Sequence, residues 1–182
     1  HNGIIENHQD LRKKLEAKGI KFHSQTDTEV IAHLIQNYLE KGKSFEQAVI
    51  EASRELKGAY ALGIINKKDP EQLIGVRSQS PLVVGKGFQE NFIASDVMAL
   101  APVTNQFIYL EDGQLAFLSK EKVTVKNPKN KIVRAKTHEV DSNSYTTDLA
   151  GYNHFMEKEI FEQPRAVKDA IEGRLTNKES QE

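Results

Sequence analysis

The sequence predicts an α+β fold in which helices lie against one face of antiparallel sheet. Three observations predict it. Apolar residues recur at helical spacing as far as about residue 58; from residue 59 they gather in short Val-, Ile-, Leu- and aromatic-rich runs; and several of those runs are apolar at both alternating positions. The last feature is the pattern of strands covered on both faces. Helices first and strands afterwards argue segregated layers rather than alternating βαβ units.

In the first helical segment Leu11 and Leu15, with Ile5, share one face while Asp10, Arg12, Lys13 and Lys14 take the other, and Gly19 supplies the stop, so the spacing predicts a helix over about residues 6–18. After the extended piece KFHSQ, a Thr-Asp-Thr cap opens the best-signalled helix of the chain. Ile31, Leu34, Ile35, Tyr38 and Leu39 form its apolar stripe, and it stops before Gly42. Ser44 and Gln47 form a capping-box pattern that opens a third helix, ending near Leu56 and Gly58. The strand runs follow: YALGII, QLIGVR, PLVVG, NFIAS, QFIYL, GQLAFL, KVTV and KIVRA, broken by KKDP, GKG, EDG and KNPKN. They read as an antiparallel meander interrupted by a short helix at Asp96–Leu100.

Residues 136–152 lose all periodicity and read as a linker. Helical pattern returns from residue 153, with Pro164 placed as the first residue of a second helical segment and Gly173 as its stop. Three parts are therefore expected: a domain over 1–135, a linker over 136–152, and the beginning of another domain over 153–182. The apolar residues Phe155, Met156, Ile160 and Phe161 read as interface or core. Because His1 carries neither an initiator Met nor the features of a signal peptide, the sequence reads as the middle of a longer chain.

Composition narrows the function. Twenty-five basic residues stand against 26 acidic ones, interspersed, so no basic stripe points to nucleic acid and no polybasic run to a membrane surface. The longest apolar run, AYALGII at 59–65, is far short of the roughly 20 residues needed to span a bilayer. The chain has no Cys, which excludes disulfides and thiolate metal sites within it and fits a reducing, cytoplasmic setting. Its six His residues include no H-E-x-x-H pair, and neither a nucleophile elbow nor a Walker loop is present. GKGFQE at 85–90 has two of the three glycines of a dinucleotide fingerprint but sits between strands, so it reads as a hairpin turn. Taken singly, HNG at 1–3 is a turn and TDTE at 26–29 a helix cap.

Their combination carries more. HNGIIENHQDLRKKLEAKG followed by SQTDTEVIAHLI resembles the glutaminase domain of the class II amidotransferases, which use an N-terminal cysteine nucleophile. GAYAL, RSQSPLVVGKGFQENFIASD and the tail HFMEKEIFEQPRAVKDAIEGRL narrow the resemblance to the isomerising glutamine:fructose-6-phosphate aminotransferases. It covers nearly the whole chain, with residues 120–152 matching loosely. What it implies for the fold is part of a four-layer αββα sandwich of the N-terminal-nucleophile hydrolase type, without its first strands. On this resemblance 1–135 is the C-terminal part of the glutaminase domain and 153–182 the start of a sugar-isomerase domain.

The same resemblance implies roles for three residues. Asn2, by its side-chain amide, and Gly3, by its backbone N–H, would form the oxyanion hole of the amide-cleaving step. Asp27 would pair with the α-ammonium of glutamine. The family attacks the glutamine amide with a cysteine thiol, forms a thioester, releases ammonia and delivers it to fructose 6-phosphate, giving glucosamine 6-phosphate and glutamate. No metal or organic cofactor is implied, and the full-length enzyme is expected to be a homo-oligomer. Without the cysteine, the 182 residues alone are expected to be inactive. Two alternatives stand beside this reading: another class II amidotransferase of the phosphoribosyl-pyrophosphate amidotransferase or asparagine synthetase type, and a non-catalytic glutaminase-like binding module. The tail argues against the first and the intact Asn2, Gly3 and Asp27 set against the second.

Overall fold

Helices form where capping and apolar spacing coincide. The computed structural model describes residues 1–140 and 149–171. Its first three helices are α1 (His8–Glu16), α2 (Asp27–Glu40) and α3 (Phe45–Glu55). The Ser44 hydroxyl accepts from the Gln47 N–H at 3.3 Å while the Gln47 side chain accepts from the Ser44 N–H at 3.4 Å, completing the predicted capping box. The cap of α2 is Thr26, whose side chain accepts from the Glu29 N–H. Asp27 is the first helical residue, which leaves its carboxylate free for other partners.

The strands form two antiparallel sheets rather than one meander. The larger contains β1 (Asn2–Gly3), β2 (Tyr60–Asn66), β3 (Asp69–Ser78), β7 (Leu115–Leu118), β8 (Val123–Lys126) and β9 (Ile132–Val133), in that spatial order. The smaller runs β10 (His138–Glu139), β6 (Gln106–Tyr109), β4 (Val83–Lys86) and β5 (Asn91–Ala94). The chain leaves the first sheet after β3, builds three strands of the second, and returns at β7. The predicted short helix is a 3₁₀ turn at Val97–Ala99 capped by Asp96, and the glycine pair at 85–87 enters the β4–β5 hairpin, with the Gly87 N–H on the Glu90 carbonyl at 2.9 Å.

Side-chain alternation along β2, β3 and β7 makes two cores. Tyr60, Leu62, Ile74, Val76, Leu115 and Phe117 face the helices and pack with Leu15, Val30, Leu34 and Val49. Ala61, Ala116 and Leu118 face the second sheet and meet Leu82, Val84, Ile108 and Leu110. A third cluster, Val83 and Phe107 with Val97 and Leu100, covers the outer side of the smaller sheet. The layers are therefore helix, sheet, sheet and a 3₁₀ cover, in keeping with an αββα-type sandwich.

The chain divides into two compact units, His1–Tyr145 and Thr146–Glu182. Within the segment expected as linker, His138–Glu139 adds an edge strand to β6, paired with Phe107 and Gln106. Two residues of backbone pairing leave no periodicity to read. Residues 141–148 of that segment and the Gly173 stop lie outside the described residues. In the second unit α4 (Phe155–Ile171) runs unbroken through Pro164, so Pro164 does not start a separate helix as its position suggests. Proline removes one backbone donor, which costs a helix stability without obliging it to end. Phe155, Met156, Ile160 and Phe161 are exposed on α4, and Tyr152 stacks on Phe161 at 5.6 Å.

Candidate active site

Two segments, residues 1–8 and 22–29, meet beside the start of β2. The first is zipped onto the chain entering β2: the Ile4 N–H donates to the Ala59 carbonyl and the Glu6 N–H to the Lys57 carbonyl, each at 2.9 Å. Asn7 closes the zip, its amide donating to the Glu55 carbonyl at 2.8 Å and its carbonyl accepting from the Lys57 N–H at 2.9 Å. Approach this close requires glycine on both sides. Gly3 has φ +101°, and a Cβ there would lie 2.0 Å from the Ala59 carbonyl oxygen; Gly58 has φ +126°, with a Cβ 2.2 Å from the Ile4 oxygen. Asn2 and Gly3 are thus held opposite Ala61 and Tyr60, at the exposed edge of the sheet.

Tyr60 anchors this edge from below. It is buried, its hydroxyl donates to the Ser53 carbonyl at 3.2 Å, and burial pushes its phenol up, so it stays a neutral donor.

Asp27 joins the second segment to the first. Its Oδ2 accepts from the Ile5 N–H at 2.8 Å, and its Oδ1 lies 3.9 Å from Nδ1 of His1. Its side chain retains 22% exposure. One oxygen is therefore fixed by backbone, while the other is nearest the His1 imidazole and keeps part of its exposure. The imidazole of His1 also lies 2.8 Å from the Thr28 hydroxyl. Beside it opens a cleft of about 240 Å³ between α2 and β2, lined by His1 and Thr28 and otherwise by apolar residues including Ile31, Ile35, Leu62 and Ile64.

Of the three residues singled out in the sequence, Gly3 and Asp27 lie on segments bonded directly to each other through Ile5, and Asn2 precedes Gly3 on the same edge strand. Sequence reasoning missed His1, Thr28 and Glu29. His1 was legible only as part of a turn. Glu29 carries a visible signal, the T-x-x-E spacing of 26–29, but that spacing predicts a plain cap. In the fold its carboxylate accepts from the His23 N–H at 2.7 Å, the Ser24 N–H at 2.6 Å and the Ser24 hydroxyl at 2.6 Å. Chiefly the Ser24 hydroxyl, with the His23 N–H next, holds its pKa at about 2. Among the described residues no cluster of His, Asp and Glu is arranged to hold a metal ion.

Comparison with known proteins places the chain. A glutamine amidotransferase domain matches residues 1–102. Glutamine–fructose-6-phosphate aminotransferase (isomerizing) of Bordetella pertussis is 51% identical over 172 residues, which is 94% of this chain and 28% of that protein. The Escherichia coli K12 protein of the same name is 45% identical over 177 residues, 97% of this chain and 29% of its own length. The chain thus spans under a third of the curated relatives it matches. Among solved structures, glutamine phosphoribosylpyrophosphate amidotransferase from B. subtilis, complexed with ADP and GMP, superposes with a TM-score of 0.61 at 26% identity, over 73% of this chain and 29% of that one. A structure of the allosteric regulatory enzyme of purine biosynthesis gives 0.58 at 27% identity, over 73% and 28%.

Proposed function

Because this chain belongs to the glutamine amidotransferase family, we propose that its first 135 residues are the part of a glutaminase domain that holds glutamine and its oxyanion, and that the ammonia released aminates fructose 6-phosphate. The observation that carries the site is the Ile5 N–H to Asp27 bond, which ties the Asn2–Gly3 edge to the carboxylate of α2. In the proposed reaction a thiol gives up its proton to a base and its sulfur adds to the side-chain carbonyl carbon of glutamine. The charge that develops on the oxygen is met by the Asn2 amide and the Gly3 N–H, and as the adduct collapses the same proton passes to the leaving nitrogen, so that the C–N bond breaks to release ammonia and leave a thioester. Water then hydrolyses the thioester to glutamate. Asp27, through Oδ1, holds the α-ammonium throughout. These residues contain no Cys, so the thiol has to come from outside them.

Residues 153–182 are, on this reading, the entry to a sugar-isomerase domain, joined by 136–152. The sugar acceptor is favoured over phosphoribosyl pyrophosphate because 45–51% identity to the fructose-6-phosphate enzymes extends over 94–97% of the chain, whereas the phosphoribosyl-pyrophosphate enzyme is 26% identical over 73%. The full-length protein is read as a cytoplasmic homo-oligomer. Among the described residues no helix is long and apolar enough to cross a membrane.

The test uses the full-length protein with glutamine and fructose 6-phosphate, assayed for glutamate and glucosamine 6-phosphate. Both products are expected. Glutamate without the amino sugar would reject the acceptor and keep the glutaminase, and neither product, with no alkylatable thiol in the intact mass, would favour a binding module.

A further inference from the structure

We propose that Glu29 is a positioning residue for glutamine recognition, its carboxylate clamping the Phe22–Thr26 loop to the first turn of α2 and so setting where Asp27 presents Oδ1. The proposal rests on the reading of Asp27 given above.

Glu29 is the third residue of α2, and in an ordinary capping box its carboxylate would turn back to the N–H of the cap residue. Here the Thr26 N–H is taken by the Ser24 hydroxyl at 3.2 Å. Glu29 reaches past the cap and collects three donors from His23 and Ser24. Such a cluster is more than a helix start needs. The loop is held from its other side as well: Arg12 of α1 donates to the Ser24 carbonyl at 2.8 Å, and its guanidinium lies 4.5 Å from the Phe22 ring centre. His33, one turn along α2, packs its ring edge-on against Phe22 at 4.7 Å, and its Nε2 is 3.2 Å from Glu29 Oε1.

Only Gln25 and Thr26 separate this clamp from Asp27. The direction in which α2 begins, and hence the reach of the Asp27 carboxylate, is fixed by the clamp behind it and the Ile5 N–H ahead of it. Loss of the Glu29 carboxylate removes three of the hydrogen bonds that hold the loop to α2, and a misplacement of about 1 Å at a positioning group can cost on the order of a hundredfold in rate. The same donors hold the Glu29 pKa at about 2, well below the ordinary carboxylate value, so the carboxylate is an anion and the clamp is set at neutral pH.

A role through Asp27 is separated from a general loss of stability by comparing glutamine with 4-carbamoylbutanoate, which is glutamine without its α-amine. In the full-length protein, Glu29→Ala is expected to lower the ratio of kcat/KM for glutamine over the analogue by about 10- to 100-fold, chiefly through the KM for glutamine. Glu29→Gln, which keeps the chain length and one acceptor oxygen, shows a smaller fall and replaces Glu29→Ala where that variant does not fold. Glu46→Ala, which removes the partner of Lys126 and Gln72 away from the site, controls for stability and leaves the ratio unchanged. An unchanged ratio in both Glu29 variants, with a lowered ratio in Asp27→Ala, would overturn the positioning role alone. An unchanged ratio in Asp27→Ala would overturn the reading of Asp27 and the proposal with it.

Discussion

Each of the three proposed site residues makes a different demand on chemistry, so substitutions at them separate. Asn2 is exposed on an edge strand, and in the proposed reaction it would contribute a donor that matters only once the amide oxygen becomes an oxyanion. Asn2→Ala should therefore lower glutamine turnover by about 100- to 1000-fold with KM and melting temperature little changed, read by steady-state kinetics and calorimetry. Asp27 holds the Ile5 N–H through one oxygen and, on the proposed reading, would hold the glutamine ammonium through the other. Asp27→Asn keeps an oxygen for the Ile5 N–H and removes the charge offered at Oδ1, so the KM for glutamine should rise by about 10- to 100-fold at unchanged thermal stability. A KM that does not move would remove Asp27 from glutamine binding. Gly3 is constrained by space before chemistry: at φ +101°, with the Ala59 oxygen where a Cβ would stand, Gly3→Ala must push β1 off β2. That constraint is invisible in the string HNG, which reads equally well as a turn.

Elements were legible where their start signals are local. The Ser44 and Gln47 pair predicted α3 and its cap to the residue, because a capping box closes within four residues. Ser44→Ala should cost about 1 kcal/mol, measured by denaturant unfolding. At α2 the same kind of reading identified the helix but not which residue caps it, since Thr26 and Asp27 are both good caps; in the fold Thr26 caps, and the Asp27 carboxylate accepts from the Ile5 N–H, 22 residues away. Pro164 misled for the opposite reason: a local breaker sits inside α4 without ending it. The Glu29 clamp adds a pH signature at this scale. Its folded pKa, about 2, lies below the ordinary value of 4.5, so its stabilisation is complete above about pH 4.5 and is lost as pH falls toward 2. His33 faces the same carboxylate. The difference in unfolding midpoint between the wild type and Glu29→Gln should accordingly be constant near neutrality and shrink between pH 4.5 and 2, which cancels the titration of the other carboxylates. A difference that held constant to pH 2 would mean that Glu29 is not clamped as an anion.

For the molecule as a whole, helix-then-strand order made the α+β class readable, while the division of strands between two sheets was not. Runs such as QLIGVR and PLVVG both read as short apolar strands, and only the return of the chain at β7 assigns them to different layers. What sets the spacing of those layers is the size of the residues between them. On the helix side the larger sheet carries Leu62, Ile74, Val76 and Phe117, whereas the centre of its inter-sheet side carries Ala61, Gly63, Gly75 and Ala116, with Leu118 and Val125 beside them. A Cβ on Gly75 would meet Leu82 Cδ2 at 3.0 Å, and one on Gly63 would meet Ile93 Cδ1 at 2.7 Å. The two faces should consequently respond to opposite changes. Ile74→Ala leaves a void under the helices and should cost about 2–5 kcal/mol. Gly75→Ala is nearly tolerated by a small shift of Leu82, but Gly75→Val wedges the sheets apart and should cost about 1–3 kcal/mol from overpacking. Because the Asn2–Gly3 edge is paired to β2 rather than to the smaller sheet, the glutamine KM of Gly75→Val should stay near wild type below its lowered melting temperature. A raised KM at a temperature where that variant is folded would show that the spacing of the two sheets, and not β2 alone, holds the site in place.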